Sequence, residues 1–416
     1  MEELREFFVD LHVHIGRTNK GQAVKITASR SLTFENIAKE CAHRKGIDVV
    51  GIVDSASPAV IEDIENLLDT GKMEALRDGG LVYDKKVTVI LESEVEVEEK
   101  GGGHAHHVAL FPYLEDVKKF SNILTRLVKN PNLSTQNTRK KAQEIFNIVN
   151  DIGGILFPAH AFTPHKSVYG NCARRLSDIF TKKTMEKIPA IELGLSADTD
   201  IADHIQELSN FTFLSNSDAH SLPKIGREYN IFLMEKPTYK EILSVLFRRN
   251  GRRIIANYGM DPKLGKYHRT YCNDCGHIAT SPPPVFKCEK CGSLNVTMGV
   301  LDRVVDIADY KYPKHPPHRP PYYYQVPLEF VPGIGKKLLE KLFDYFGTEM
   351  NILHKATYED LLQVTNPSIA RDIILAREGK LKLMPGGGGV YGKVETKREK
   401  QYKMKSLFDL SKLNKR

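Results

Sequence analysis

Histidine and carboxylate residues recur at the ends of short apolar runs in the first 220 residues. The first run ends in Asp10-Leu-His-Val-His14. Side chains two residues apart in a strand lie on one face, so His12 and His14 can bind one ion together. Later runs carry further such residues, namely Asp54, Glu92, Glu94, Glu96, His104, His106, His107, His160, Asp218 and His220. A single HxH pair occurs readily by chance, whereas six such run ends indicate a metal site.

The ligand types indicate which chemistry this site performs. Imidazole and carboxylate groups suit zinc, manganese or iron, and a carboxylate that bridges two ions implies more than one metal. Two or three adjacent metals clamp a phosphate ester, activate a bound water and stabilise the leaving oxygen. The pattern therefore predicts phosphoester hydrolysis.

The elements that must position these residues alternate along residues 1–255. Strands are predicted at 7–15, 48–54, 87–97, 107–111, 154–160, 190–195 and 211–215, and helices are predicted to begin near Thr33, Pro58, Glu115, Thr138, Arg174, Asp200 and Thr238. Such alternation predicts a parallel α/β fold, either a barrel or an open sheet. The carboxyl ends of parallel strands meet at one mouth, where the metal-site candidates would gather.

Four cysteines follow the α/β region. Cys272-Asn-Asp-Cys275 and Cys288-Glu-Lys-Cys291 are separated by twelve residues. Each CxxC turn places two thiolates beside an ion, and two such turns complete a Cys₄ shell. We therefore predict a small structural zinc ribbon over residues 256–312. A redox dithiol is the alternative, but the paired turns lack a thioredoxin-like βαβ context.

A glycine-rich hairpin follows a Pro- and Tyr-rich stretch, residues 313–327, which we interpret as a semi-rigid linker. Gly333 and Gly335 would let the backbone approach a phosphate closely, and Lys336 and Lys337 add positive charge. Residues 328–385 are thus predicted to be a helix-hairpin-helix DNA-binding domain, with an ordinary helix–turn–helix corner as the alternative. A poorer second copy, residues 361–379, is interpreted as packing.

Charge is distributed unevenly along the 416 residues. Residues 1–250 hold 32 Lys and Arg against 35 Asp and Glu, whereas the remaining residues hold 28 against 17. A basic C-terminal part suggests a polyanionic partner, most commonly nucleic acid, although a solvated basic tail is the alternative. No apolar run is long enough for a membrane-spanning helix, and six cysteines are too few for a disulfide framework, so a cytoplasmic protein is expected.

Residues 386–416 are predicted to be a basic flexible tail that carries one short apolar cluster. Gln401, Met404, Leu407 and Phe408 have the spacing of peptides that bind a replication sliding clamp. Such a segment could fill a preformed pocket and raise the effective concentration of the protein on DNA. The alternative is that the apolar side chains fold back onto the barrel.

The α/β region resembles the PHP (polymerase and histidinol phosphatase) domain family, through the ordered motifs DLHVH, the third-strand Glu, HHVAL, PAH and SDAH. The resemblance implies a distorted (β/α)₇ barrel with two or three divalent ions, with zinc, manganese and magnesium as the candidates. It assigns His12, His14, Glu94 and Asp218 to one ion, Glu94, His107 and His160 to a second, and Asp54 with His220 to a third. Its catalytic set is His12, His14, Glu94, His160 and Asp218.

Two departures and three alternative assignments accompany this resemblance. Many PHP domains have Asp-His where this sequence has Asp54-Ser55, and Lys20 stands where an extra histidine is common. A third ion would therefore have to use Asp54 in place of that histidine. The alternatives are Glu92 or Glu96 for Glu94, and His106 for His107.

The order of barrel, Cys₄ ribbon, glycine hairpin and basic tail resembles the endonuclease Q family across essentially the whole chain. That resemblance implies a metal-dependent endonuclease acting on double-stranded DNA. It would cleave 5′ to deaminated bases (uracil, hypoxanthine, xanthine) or abasic sites and leave a 3′-hydroxyl. A small-molecule phosphatase of the histidinol-phosphate type and a non-catalytic DNA-binding adaptor are the alternatives.

Overall fold

The computed structural model describes residues 3–381, 383–384 and 386–394. The strands of these residues are β1 (Arg5–Val13), β2 (Val49–Ile52), β3 (Met73–Ala75), β4 (Leu81–Tyr83), β5 (Val87–Glu98), β6 (His104–Phe111), β7 (Ile155–Pro158), β8 (Ala190–Glu192), β9 (Thr212–Leu214), β10 (Tyr229–Met234), β11 (Arg253–Gly259), β12 (Tyr271–Cys272), β13 (Val296–Thr297), β14 (Tyr322–Tyr324), β15 (Leu383–Met384) and β16 (Lys393–Val394).

The α-helices of the described residues are α1 (Phe34–Glu40), α2 (Pro58–Asp69), α3 (Leu114–Leu127), α4 (Ala142–Ile152), α5 (Lys182–Met185), α6 (Thr199–Ala202), α7 (Tyr239–Leu246), α8 (Val300–Ile307), α9 (Lys336–Phe346), α10 (Glu349–His354), α11 (Tyr358–Leu362) and α12 (Pro367–Arg377). Two of the predicted starts are set by side-chain caps, because the hydroxyls of Thr33 and Thr238 accept from the backbone three residues on. The helix predicted from Arg174 is only a 3₁₀ turn, Leu176–Asp178, followed by α5.

The fold is α/β, as predicted, around one large mixed sheet. Its strand order is β14-β11-β10-β1-β2-β5-β4-β3, and β6 and β7 continue from the second half of β5. The strands β1, β2 and β5 run parallel, and so do β8 and β9 in a separate pair. Their buried positions are nearly continuous, as expected for strands covered on both faces.

The expectation of an all-parallel arrangement is wrong for the remaining strands of the sheet except β14, which is parallel to β11. β6 is antiparallel to both β5 and β7, and β10 is antiparallel to both β1 and β11. Only five residues, 99–103, connect β5 to β6. A parallel crossover needs a dozen or more residues, so this connection can only form a hairpin.

The β8–β9 pair lies between β7 and β11, so the strands close into a barrel. The Pro- and Tyr-rich segment is docked on this barrel, whereas the sequence predicted a linker. Its β14 pairs in parallel with β11 at the edge of the sheet. The Arg319 side chain is buried, donates to Asp203 at 2.7 and 3.0 Å, and lies over the Phe213 ring at 3.4 Å. Proline is tolerated in such a segment because an edge strand leaves one side of its backbone unpaired.

The helical domain formed by α9–α12 also packs directly on the barrel. Arg44 makes a bidentate ion pair with Glu340 at 2.8 and 2.9 Å. The buried Lys45 ammonium donates to Glu349 at 2.6 Å. Removing one partner of a buried ion pair is strongly destabilising, so the Lys45–Glu349 contact in particular holds the helical domain beside the barrel.

The described residues continue beyond residue 386, where the tail was predicted to begin. β15 and β16 pair as a hairpin whose turn contains Gly388 and Gly389 at φ of 58° and 83°. The Tyr391 hydroxyl lies 3.3 Å from Arg227 Nη1. The sliding-clamp segment, Gln401 to Phe408, lies outside the described residues, and its function stays a prediction. Among the described residues, no helix has the length and apolarity to cross a bilayer.

Candidate metal centres and nucleic-acid interface

Seven side chains from five parts of the barrel converge on one point, and we call them the histidine-carboxylate cluster. They are His12, His14, Glu94, His106, His160, Asp218 and His220. His160 and Asp218 follow β7 and β9, with φ of 29° and 44°. Such backbone is uncommon outside glycine, and it concentrates at functional sites where the surrounding structure holds it.

The first set of ligand atoms belongs to His12, His14, Glu94 and Asp218. His12 Nε2 lies 3.6 Å from both Glu94 Oε1 and Asp218 Oδ1. His14 Nε2 lies 3.5 Å from both Glu94 Oε2 and Asp218 Oδ1. A tetrahedral ion with bonds of about 2.0–2.2 Å keeps its ligand atoms about 3.3–3.6 Å apart. His12, His14 and Glu94 therefore form a group that fits a divalent metal, and Asp218 lies at the same spacing from both histidines.

The buried atoms support that fit. His12 is fully buried, and its Nε2 has no hydrogen-bond partner in the described part of the chain. A buried polar atom without a partner costs free energy that a bound cation would recover. The His12 ring is therefore oriented for a ligand that the protein itself does not supply.

A second set of ligand atoms surrounds the other side of Glu94. Its Oε1 lies 2.9 Å from His106 Nδ1 and 3.3 Å from His160 Nε2. Glu94 thus lies between the two sets, as a bridging carboxylate does. The arrangement fits a pair of divalent ions that share Glu94.

His107, the ligand that the sequence predicted for the second ion, points away from the cluster. It is fully buried, and neither ring nitrogen has a hydrogen-bond partner among the residues that the structure describes. Its ring packs edge-to-face on Phe180 with centroids 5.7 Å apart. Burial lowers the pKa of His107 to about 3, so it is a neutral core residue. The structure places His106, the alternative assignment, in the cluster.

Residues predicted for a third ion are only partly brought together. His220 lies beside His14 and Asp218, and the rings of His14 and His220 are 4.7 Å apart. Asp54 instead lies behind His14, where its Oδ2 accepts from His14 Nδ1 at 3.1 Å and from the Ile15 backbone at 2.7 Å. The structure gives Asp54 the place of a residue that orients a ligand.

Glu192 is a further functional residue that the sequence analysis missed. It accepts from His12 Nδ1 at 2.9 Å and from Asn216 Nδ2 at 3.2 Å. A carboxylate on Nδ1 fixes the tautomer that leaves Nε2 free to bind a metal. Because Glu192 ends a strand, β8, the expectation that strand ends carry the site could have identified it.

Glu92 and Glu96, the alternatives to Glu94, lie on either side of it along β5. Glu92 is fully buried, and both of its carboxylate oxygens lack a partner among the described residues. Burial raises the pKa of Glu92 well above its ordinary value. Glu96 lies at the outer side, where its Oε2 is 3.3 Å from His106 Nε2 and 2.8 Å from Lys166. The middle carboxylate is therefore the one that both sets of ligands share.

Electrostatics keep the two central carboxylates charged. Burial raises the pKa of Glu94, but His106 and Lys25 lower it, and the resulting pKa is well below its ordinary value. Burial likewise raises the pKa of Asp218, whereas His14 and His12 lower it to well below its usual range. Ionised carboxylates are the form that binds a metal.

The four cysteines form a second and separate candidate metal site. Sγ–Sγ distances are 3.6 Å for both the Cys272–Cys291 and the Cys275–Cys288 pair. A tetrahedral zinc with Zn–S bonds of about 2.3 Å requires thiolates about 3.8 Å apart. Each CxxC turn is closed by a following glycine, Gly276 or Gly292, at φ of 71° or 75°. The geometry fits one structural zinc.

We expect the Cys272→Ser variant to lose about one zinc and to unfold the ribbon, because the free energy of zinc binding is what folds so small a unit. Elemental analysis and protection of β12–β13 against proteolysis would measure this. Cys172→Ser, in a half-buried cysteine outside the ribbon, is the control. Unchanged zinc content with an intact ribbon would contradict the assignment.

The predicted hairpin residues lie together on the surface of the helical domain. Gly333 has φ of 88°, and Gly335 is the N-cap of α9. Lys336 and Lys337 form the first turn of α9 and are exposed. Free N–H groups at a helix N-terminus, beside two lysines, form a site suited to a phosphate.

Comparison with known proteins identifies relatives along the whole chain. No family model matches. The uncharacterized protein YqxK of Bacillus subtilis is 44% identical over 394 residues, which cover 94% of this chain and 100% of YqxK. The uncharacterized protein MJ0043 of Methanocaldococcus jannaschii is 39% identical over 261 residues, covering 58% of this chain but only 32% of MJ0043.

Two solved structures share the fold at nearly full length. The lesion-specific endonuclease PfuEndoQ of Pyrococcus furiosus has a TM-score of 0.79 at 32% identity, covering 98% of this chain and 99% of PfuEndoQ. An endonuclease Q complex with a 27-mer duplex substrate that has an abasic lesion at the active site has a TM-score of 0.79 at 33% identity, covering 95% and 98% of the two chains. With this identity over this length, the chain belongs to the endonuclease Q family.

Proposed function

We propose that this protein is a metal-dependent DNA repair endonuclease. It hydrolyses the phosphodiester 5′ to a deaminated base (uracil, hypoxanthine or xanthine) or an abasic site and leaves a 3′-hydroxyl. One observation carries the proposal. The chain aligns over 98% of its length with a lesion-specific endonuclease, and it contains the histidine-carboxylate cluster, whose side chains fit two metals. The same chain has the Cys₄ ribbon and the glycine hairpin.

We assign the metal ligands as follows. His12, His14, Glu94 and Asp218 would hold the first ion, and Glu94, His106 and His160 would hold the second, with His106 in the place first assigned to His107. A third ion would bind at His14, Asp218 and His220. When bound, divalent zinc, manganese or magnesium polarises the phosphate and lowers the pKa of a bound water.

The protein's own residues prepare this site before substrate arrives. Glu192 and Asp54 hold the Nδ1 atoms of His12 and His14, so the Nε2 lone pairs of both rings face the same point. Because these carboxylates already hold the two rings in place, the rings do not need to reorient during the reaction. Hydrolysis adds water across the bond between phosphorus and the 3′ oxygen, which gives a 3′-hydroxyl and a 5′-phosphate.

The ribbon and the helical domain hold the duplex, while the altered nucleotide leaves the base stack to reach the cluster. Backbone N–H groups and lysines at Gly333–Lys337 contact phosphates. Contacts of this kind fix the position of DNA without reading its bases. Lesion recognition is therefore assigned to the barrel.

We expect Lys336→Glu combined with Lys337→Glu to weaken binding of damaged and undamaged duplex about equally. The salt dependence of binding should also become shallower, since fewer counterions are released. Fluorescence anisotropy at several salt concentrations would measure both effects. Lys182→Glu with Lys183→Glu, an exposed pair on α5, is the matched control. If the variant lost discrimination between damaged and undamaged duplex at unchanged affinity, the glycine hairpin would be the part that recognises the lesion.

A nicking assay tests the proposed activity directly. Oligonucleotide duplexes with one uracil, hypoxanthine, xanthine or abasic site are incubated with the protein and Mn²⁺, Mg²⁺ or Zn²⁺, and the product ends are mapped. The proposal requires a nick 5′ to the lesion with a 3′-hydroxyl. Release of phosphate from small phosphomonoesters without nicking would favour the phosphatase alternative, and binding without either reaction would favour the adaptor.

A further inference from the structure

Lys25 brings a fixed positive charge to the histidine-carboxylate cluster. Its Nζ lies 2.7 Å from Thr135 Oγ1 and 3.4 Å from Glu94 Oε2. The side chain is only 17% exposed. The Lys25 backbone N–H donates to Ile15 at 2.9 Å, next to His14. Backbone and side chain are thus both anchored at the cluster.

The loop that carries Lys25 is held on both sides of the site. Ser29 N–H donates to the backbone oxygen of His220 at 2.8 Å, and Ser134 N–H donates to the backbone oxygen of Val24 at 2.9 Å. The loop is therefore held both at Ser134, next to the Thr135 that binds Lys25, and at the His220 side of the cluster. The position of Lys25 is set by the fold and does not depend on a flexible side chain finding its partner.

A cation at this position works against metal binding. Lys25 and the first ion would both lie close to Glu94 Oε2, and like charges at such a separation repel in a site with little water. A lysine with only a structural function would weaken the metal centre. An anion that binds between the ammonium and the metals would be attracted to both and would offset the repulsion between them.

The hydrogen-bonding capacity of Lys25 agrees with such an anion. An ammonium group has three donors, and Thr135 takes one at a good distance. The 3.4 Å separation from Glu94 is long for a charged hydrogen bond. Glu94 Oε2 is also satisfied by the Thr135 hydroxyl at 2.7 Å and is a proposed metal ligand, so at least one donor of Lys25 is left for another partner.

We propose that Lys25 contacts the substrate, with its ammonium group donating to a non-bridging oxygen of the scissile phosphate while Thr135 holds the side chain in place. The contact strengthens as negative charge builds on that oxygen during attack by water. No proton leaves Lys25, and no bond to it forms. This inference rests on the proposed function, because it requires a phosphodiester at the cluster.

Full-length Lys25→Met and Lys25→Arg variants test the inference, with Lys20→Met as the matched control. Lys20 is in the same loop but 69% exposed and pairs with Glu62. Single-turnover cleavage by Lys25→Met should fall by about 100-fold, the loss typical of one donor to a transition-state oxygen. Lys25→Arg should recover part of the rate, and Lys20→Met should match the unaltered protein.

Two binding measurements distinguish a substrate contact from a structural function. Calorimetric titration with Mn²⁺ should show that Lys25→Met binds the metal more tightly, because a repelling charge is gone. Titration of the Mn²⁺-loaded protein with inorganic phosphate should show weaker binding in the same variant. Circular dichroism melting would verify that Lys25→Met is folded.

The cleavage, Mn²⁺ and phosphate measurements together decide whether Lys25 contacts the substrate. A slower reaction with tighter Mn²⁺ binding and weaker phosphate binding supports the inference. Weaker Mn²⁺ binding would mean that Lys25 only positions metal ligands, and unchanged cleavage and phosphate binding would mean that it contacts no substrate. If the unaltered protein fails to nick DNA, the proposed function fails, yet the Mn²⁺ and phosphate titrations still decide whether Lys25 binds an anion.

Discussion

Replacing Asp218 with Asn, or His12 with Ala, should reduce cleavage by a factor of about 1000 or more, because each change removes a proposed ligand of the first ion. A metal that polarises a phosphoryl oxygen supplies several kcal/mol, and each 1.36 kcal/mol is a tenfold change in rate. Affinity for the duplex should change by no more than a few-fold, since the lysines and the ribbon lie elsewhere. Single-turnover nicking and fluorescence anisotropy measure the two effects separately.

His43→Ala is the matched control for His12→Ala, because His43 is a partly exposed histidine that pairs with Asp84 outside the cluster. It should leave both measurements unchanged. Metal content should be determined for every variant by elemental analysis. If a metal-stripped Asp218→Asn or His12→Ala protein cleaves within a few-fold of the unaltered protein, the metallohydrolase assignment is lost.

His106→Ala should reduce cleavage by more than about 100-fold, whereas His107→Leu should leave it within about threefold. Mutation of residues that merely orient metal ligands already costs 10–100-fold, and a proposed ligand should cost more. His107 is buried without hydrogen-bond partners among the described residues, so an apolar replacement of similar volume removes no hydrogen bond and leaves no unpaired group. Nicking rates together with metal stoichiometry measure this difference.

Thermal melting controls for damage to the barrel in both variants. The His107→Leu protein should unfold at or above the temperature of the unaltered protein, since it no longer buries two unsatisfied nitrogens. Loss of one metal from His107→Leu, with full occupancy in His106→Ala, would restore the assignment that the sequence motif suggested.

The sequence by itself determined the parts whose geometry is local. A CxxC turn places its two thiolates through a few backbone bonds, and Cys272, Cys275, Cys288 and Cys291 meet as predicted. The His12-x-His14 pair likewise shares a strand face because side chains alternate along β1. The spacing of apolar residues differs between strands and helices, so their alternation along the chain predicted the α/β class.

Only the tertiary structure decided which neighbours point into the cluster. In the β5–β6 hairpin, Glu96 lies opposite His106 and Val95 lies opposite His107. A shift of one residue in this register would exchange the two histidines between faces. The motif alone named His107, whereas the register of this hairpin places His106 on the face of Glu94 and Glu96.

The outer partners of the cluster were likewise decided by tertiary structure. Glu192 is 180 residues from the His12 that it orients, and Lys25 is 69 residues from Glu94. Neither belongs to a motif, because nothing in its own stretch of sequence specifies the distant partner. The types of the metal ligands follow from local sequence. The carboxylate that orients His12 and the ammonium that lies beside Glu94 reach the cluster only when the whole barrel closes.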